Sequence, residues 1–198
     1  VREIVITDSI FRDATVNWQE TEKRIKTNID FSKLTIVQGF IGGDLNGNTT
    51  TLGREGSDFT AGIFAYCTDA ESLTIWKDVL GVLNADPREF KEVQLLEHIS
   101  YEETIEMAFY GASVIHPKTI KPIQNKKIPL IVRSFKNLNS LGTKVSEGVT
   151  LEPTIPCFII KKNQVLVSIS SLDFSFIVEE NISDIFKLFH KYQLKVNL

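Results

Sequence analysis

Between Val37 and Asp58 the chain reads VQGFIGGDLNGNTTTLGREGSD, and this stretch limits the available folds more than any other. An apolar, strand-like run (residues 35–41) passes into a loop rich in Gly and Thr, and then into a predicted helix. Gly42, Gly43, Gly47, Gly53 and Gly56 permit backbone angles and close approaches that a side chain forbids. Thr49, Thr50, Thr51 and Ser57 bring hydroxyls, and Arg54 brings a planar cation. Ser57 and Asp58 stand where the helix is predicted to begin, and a helix start offers free N–H groups to an anion. Glycines alone would indicate only a surface hairpin. Combined with three threonines and an arginine between a strand and a helix, they indicate a loop for phosphates or carboxylates. It is not a Walker P-loop, because no Gly-Lys-Ser/Thr follows.

Strand and helix signals alternate around this loop. The pattern predicts a strand over residues 4–7, a helix over 18–29 and a strand over 35–41. A helix over 57–67 follows, capped by Ser57, with Phe59, Ile63, Tyr66 and Cys67 on one face. A strand is predicted over 73–76. Ser100-Tyr-Glu-Glu103 reads as a capping box opening a helix that Gly111 stops. Pro117 suits the first turn of another helix, and residues 128–132 read as a strand. Such alternation predicts a parallel α/β sheet. Residues 142–156, punctuated by Gly142, Gly148, Pro153 and Pro156, read as a linker. Beyond it, a strand over 165–170, a helical face through Ile182, Ile185, Phe186, Phe189 and Tyr192, and a strand over 194–198 make half of a small module.

The 198 residues suit one domain, or one and a part. A net charge of −3 disfavours nucleic-acid and acidic-membrane partners. No apolar run approaches membrane-spanning length and no signal peptide is visible. Cys67 and Cys157 sit in apolar surroundings and read as buried free thiols, which suits a cytoplasmic location. His98, His116 and His190 lack metal-ligand spacing. Val1 is no initiator, and both ends read as interrupted strands, so the sequence is expected to be a piece of a longer polypeptide.

Ligands of open α/β sheets bind at the carboxyl ends of strands. Three predicted strand ends carry suitable groups: Asp8, the Gly42/Gly43 loop and Lys77-Asp78. The last leads through Gly81 to Asp86, Pro87 and Arg88. Lys77, Asp78 and Arg88 together are candidates to hold a polyphosphate and its metal.

At this point the motifs resemble a known family. QGFIG (38–42), TTTLGREGSDFTA (49–61), IWKDVLGVLNADPR (75–88), SYEETIEMAFYGASVIHPKTI (100–120) and IPLIVRSF with GT (128–143) are similar, in order and spacing, to aspartokinases of the amino acid kinase family. The resemblance covers roughly residues 1–145. It implies a partial α/β three-layer sandwich of the amino acid kinase (carbamate kinase-like) type over 1–145. A linker over 146–156 and the first half of an ACT-like βαβ module over 157–198 would follow.

The implied activity is ATP-dependent phosphorylation of the L-aspartate β-carboxylate, with Mg²⁺ bridging phosphates. By the family's motifs, Phe40, Thr50, Arg54 and Ser57 would bind aspartate. Arg54 would clamp the α-carboxylate bidentately, the Thr49, Thr50 and Thr51 hydroxyls and the Asp58 carboxylate would order that pocket, and Arg54, Ser57 and Asp58 would be its catalytic residues. Lys77, Asp78, Leu83, Arg88, Ser113 and Val114 fall on nucleotide-binding positions. Lysine or threonine as feedback effector, and homo-oligomers formed through the ACT region, are further implications. The chain departs from the family where Lys77 replaces a frequent threonine, Leu83 a frequent tyrosine and Ser113 a frequent lysine. The amino-terminal KFGG motif and the upstream hydroxyl and glutamate that contact aspartate are absent from the sequence as given, so on its own it is expected to be inactive. The alternative class is a non-catalytic amino-acid-binding or assembly module. His116-Pro117 reads as a helix start, Cys67 as packing, and the Phe174, Phe176, Phe186 and Phe189 run as core or interface.

Overall fold

The computed structural model describes residues 1–112, 114–170, 179–194 and 196. It divides into two compact units, Val1–Lys161 and Lys162–Leu198. The first unit carries ten of the eleven regular elements found among the described residues: α1 (Trp18–Asn28), β1 (Ile41–Gly43), β2 (Thr49–Thr51), α2 (Gly56–Cys67), β3 (Leu73–Lys77), β4 (His98–Ser100), α3 (Tyr101–Tyr110), α4 (Pro117–Asn125), β5 (Leu130–Ser134) and β6 (Thr143–Ser146).

Two sheets organise this unit. β1 and β2 form an antiparallel hairpin, with Gly42 opposite Thr50. The other sheet has the order β3-β5-β6-β4. β3 and β5 are parallel, as are β4 and β6, but β5 and β6 run antiparallel. The sheet is therefore mixed, where alternation of elements alone predicted a parallel one. The difference is β6. Residues 142–156 read as a linker, yet Thr143 and Val145 turn inward and are fully buried while Lys144 faces out. Thr143 Oγ1 donates to the Leu96 carbonyl at 2.6 Å and accepts from the Val82 N–H at 2.8 Å. The chain stays with this unit beyond β6: His98 bridges Glu152, and Phe158 N–H donates to the Asn84 carbonyl at 2.7 Å.

The larger core packs Leu73, Ile75, Leu130, Val132 and Val145 of the sheet against Ile120, Ile123, Met107 and Tyr101 of α4 and α3. A second core joins Val5, Val16, Ile25 and Leu52 to Phe59, Ile63 and Cys67 of α2. α2 thus lies between the two cores and uses the face predicted for it. Burial of apolar area drives both. The capping box at Ser100 is present in both halves, and Gly111 is the C-cap of α3. His116 caps α4, its Nδ1 accepting from the Lys118 N–H, with Pro117 at the first position.

Three further expectations are corrected. The strand over 4–7 reduces to bridges at Ile6 and Thr7. Of the run 35–41 only Ile41 is in a strand, while Leu34 and Ile36 stand about nine-tenths exposed. An extended apolar segment becomes a strand only where another backbone pairs with it; the Phe40 carbonyl accepts from the Leu52 N–H at 3.0 Å, but residues 35–39 have no such neighbour among the described residues. The run 165–170 is not a strand and is exposed.

The second unit contains α5 (Glu179–Lys191), with acidic residues in its first turn and basic ones in its last. Phe186 and Phe189 meet edge-to-face at 6.1 Å. Phe174, Phe176 and most of the strand expected over 194–198 lie outside the described residues.

Candidate active site

The Gly/Thr loop is shaped by close backbone contacts. β1 lies against Ile6, with Gly43 N–H donating to the Val5 carbonyl and Thr7 N–H to the Gly43 carbonyl, each at 2.9 Å. The buried hydroxyls of Thr7 and Thr50 share a 2.7 Å hydrogen bond across β1. Thr50 is thus committed to holding the hairpin. Thr51 Oγ1 donates to the Phe11 and Arg12 carbonyls, tying the 8–15 loop to β2. Asp8 serves that same loop. Its carboxylate accepts from the Ile10 and Thr15 N–H groups at 3.1 Å each, and these bonds hold its pKa below the ordinary carboxylate value.

α2 begins one residue earlier than predicted, at Gly56, and its cap is Glu55 instead of Ser57. Glu55 adopts the left-handed conformation, φ +53°, with no side-chain capping bond. Its Oε2 is buried without a hydrogen-bond partner among the described residues. Ser57 is therefore released from capping. It lies exposed in the first turn, and Gly39 packs so closely on it that an added Cβ would sit 3.0 Å from the Ser57 Cα. Phe40 is also left-handed, at φ +77°. Thr60 fixes it by accepting the Phe40 N–H at 2.9 Å while donating to the Gly56 carbonyl at 2.8 Å. A Cβ on Gly56 would stand 2.6 Å from the Phe40 ring, so glycine is required there.

Arg54 is exposed beside these groups, and among the described residues its guanidinium engages no carboxylate. The loop behind it is braced. Gly53, at φ +79°, leaves room for the Asp13 carboxylate, which pairs with Lys118 in the first turn of α4. Phe40, Arg54 and Ser57 are thus brought together around the start of α2, with Thr50 beneath them as support. Their arrangement presents a free cation, a free hydroxyl and a helix start, which suits a carboxylate ligand.

The nucleotide positions are less unified. Lys77, at the carboxyl end of β3, reaches Asp58 with Nζ 2.8 Å from Oδ2. Asp78 is exposed just after it. The Arg88 guanidinium is bidentate to Asp86, with Nη2 2.7 Å from Oδ2. The expected trio of Lys77, Asp78 and Arg88 is therefore not a contact cluster among the described residues: Lys77 and Arg88 each have their own acidic partner. Leu83 is half-buried and bridges Leu95, and Val114 packs partly buried against the larger core. Ser113 lies outside the described residues. Gly39, Glu55, Thr60 and the Asp13–Lys118 brace were not singled out from sequence. Thr60 alone left a signal, standing one helical turn after Gly56.

Of the two cysteines expected to be buried free thiols, Cys67 is so placed and Cys157 is only partly buried. Cys67 is fully buried, and burial pushes its thiol up to about 11. No described helix is long and apolar enough to cross a membrane.

The profile of the amino acid kinase family matches residues 2–134. The bifunctional aspartokinase/homoserine dehydrogenase of Buchnera aphidicola subsp. Acyrthosiphon pisum (strain APS) is 40% identical over 148 residues, covering 74% of this chain and 18% of that protein. Lysine-sensitive aspartokinase 3 of Escherichia coli (strain K12) is 34% identical over 185 residues, covering 82% and 41%. The crystal structure of E. coli aspartokinase III in complex with aspartate and ADP (R-state) superposes with a TM-score of 0.75 at 28% identity, covering all of this chain and 45% of that one. The chain thus spans less than half the length of the relatives it matches. With two-thirds of it under the family profile and its α/β sheet superposing on that structure, the chain belongs to the amino acid kinase family.

Proposed function

We propose that the protein containing this chain is an aspartate kinase, transferring the ATP γ-phosphoryl group to the β-carboxylate of L-aspartate. One observation carries the reading. Arg54, free of any described carboxylate, stands beside Ser57 and the start of α2, while the end of β3 joins that helix start through Lys77. A dicarboxylate acceptor needs a cation for the carboxylate that does not react, and Arg54 supplies it. A polyphosphate donor needs charge compensation at a strand end. The similarity to a kinase solved with aspartate and ADP supports both assignments. Phe40 and Thr50 shape the acceptor pocket. Asp78, Leu83, Arg88, Ser113 and Val114 are assigned to the nucleotide side by motif. Mg²⁺ enters with the nucleotide, and Asp78 is the exposed strand-end carboxylate that would face it.

We assign residues 1–145 to the kinase domain, 146–156 to a connecting segment and 157–198 to the start of an ACT-like regulatory region that pairs between subunits in the cytoplasm. The name of the E. coli relative, lysine-sensitive, supports lysine as the effector. An acyl phosphate is trapped by hydroxylamine, so the full polypeptide with ATP, Mg²⁺, aspartate and hydroxylamine should yield aspartyl hydroxamate. Hydroxamate from another acid in place of aspartate would overturn the acceptor assignment.

A further inference from the structure

Asn46-Gly47 is the one Asn-Gly pair in the sequence, and it forms the tip of the β1–β2 hairpin. The Asp44 N–H donates to the Asn48 carbonyl at 3.0 Å, and the Gly47 N–H to the Asp44 carbonyl at 3.1 Å. A three-residue hairpin loop of this kind ends in a left-handed residue, and Gly47 fills that place at φ +83°. The requirement for glycine has a chemical side effect. Both residues are exposed, and a Cβ added to Gly47 would meet nothing within 4 Å. The Asn46 backbone N–H is held by Asp44 Oδ1 at 3.0 Å, but its side-chain amide makes no hydrogen bond among the described residues. A free asparagine amide thus adjoins a backbone nitrogen that no side chain shields, and asparagine is a thermolabile residue.

A second turn supplies the comparison. The Ser140 N–H donates to the Asn137 carbonyl at 3.2 Å, and the Asn139 N–H to Asn137 Oδ1 at 3.3 Å. Asn139 is exposed and holds the place of Asn46, but serine follows it. The two turns share their hydrogen bonds and differ in the residue whose nitrogen would attack.

We propose that Asn46 is a self-modification site, converted with water to aspartate and isoaspartate, and that the change loosens the hairpin beside the acceptor pocket. The Gly47 N–H leaves the Asp44 carbonyl when the tip frays, and hairpin tips lie at the low-stability end of a fold. Hydroxide takes its proton, and the nitrogen forms a bond to the Asn46 side-chain carbonyl carbon. The bond from that carbon to the side-chain nitrogen breaks, and ammonia leaves with the proton returned to it. Water then opens the imide. Attack at the side-chain carbonyl gives aspartate, and attack at the backbone carbonyl gives isoaspartate. Either product sets a new carboxylate near that of Asp44. Isoaspartate also adds a methylene to the main chain, and loop length fixes hairpin register. Thr50, opposite Gly42 and bonded to Thr7, lies on the strand that this register holds. The consequence for the acceptor rests on the aspartate-kinase reading; the modification itself does not.

The full polypeptide, incubated in mildly alkaline buffer below its melting temperature, is digested and read by mass spectrometry. Isoaspartyl methyltransferase with labelled S-adenosylmethionine reports the isoaspartate. The Asn46 peptide should gain one mass unit at least about tenfold faster than the Asn139 peptide, because no β-carbon hinders ring closure. It should also take up methyl label. Asn46→Gln should abolish both signals, since glutamine must close a larger ring. The apparent aspartate constant should rise in step with the modified fraction and stay fixed in Asn46→Gln, with the ATP constant unmoved in both. Equal rates at the two asparagines, or a mass gain without methyl label, would overturn the proposal. So would full modification with the aspartate constant unmoved. Turnover with a different acid defeats the aspartate reading alone, because mass and label need no substrate, and the constant is then followed for that acid.

Discussion

Arg54 and Glu55 are neighbours with opposite situations. Arg54 is exposed and engages no described carboxylate, so its charge is available to a ligand. Arg54→Ala in the full polypeptide should raise the apparent aspartate constant about ten- to hundred-fold, the equivalent of one charge-assisted bond worth roughly 1.5–3 kcal/mol. The constant for ATP should move far less, and steady-state kinetics with each substrate varied will show it. Equal losses for both substrates in a native-melting variant would remove Arg54 from the acceptor site. Glu55 is held at φ +53° with a buried oxygen that lacks a partner among the described residues. The left-handed region costs a non-glycine residue about 1–2 kcal/mol, against about 0.5–1 kcal/mol of extra chain entropy for glycine. Glu55→Gly should therefore stabilise the fold by up to about 1 kcal/mol, a rise of about 2–4 °C in melting temperature. An unchanged or lower midpoint would show that the strain is relieved elsewhere.

At the level of elements, the β1–β2 hairpin depends on one carboxylate. Asp44 accepts from the Asn48 side-chain amide, the Asn46 and Asn48 N–H groups and the Ser9 hydroxyl. The Asn48 amide above all holds its pKa below the ordinary 3.8, with burial opposing. A depressed folded value means the stabilisation is present above pH 3.8 and is lost as pH falls through the folded pKa. The gap in melting temperature between the unaltered protein and Asp44→Asn should be full at pH 6 and should close as pH falls below about 4. A gap independent of pH would sink this account. The hairpin was read from sequence as a ligand loop, because two three-residue strands of Ile, Gly and Thr show no apolar alternation; the capping box at Ser100 and the start of α4 at His116-Pro117 were legible because their signals are local. β6 was hidden, because TKVS is short, carries a lysine and is preceded by Gly142. Only Thr143 and Val145 facing inward make it a strand. The same limit applies to the site. Arg54 and Ser57 stood out because they share one loop. The contact between Lys77 and Asp58 depends on α2 folding back along β3, which no motif spells out.

At the scale of the whole molecule, the two units differ in how they are stabilised. The first has two buried cores. In the second, no residue of α5 is buried, and Ile182, Phe186 and Leu188 are about half exposed. Amide exchange should follow this division: in a strictly monomeric sample, α5 should exchange far faster than α2 or β5, because local stability tracks buried apolar contact. Mass spectrometry of exchanged peptides measures it directly. Equal protection in the monomer would mean that the second unit completes its own core. The strand order β3-β5-β6-β4 also sets a schedule for synthesis. Leu73 pairs with Leu130, and His98 with Lys144. During translation the first two strands of this sheet therefore emerge with neither able to pair with the other. They wait for β5 and β6, which arrive together as an antiparallel pair and join both sides at once. A ribosome paused before that pair emerges would hold two unpaired strands, Leu73–Lys77 and His98–Ser100, and that interval is when the nascent chain has most need of a chaperone.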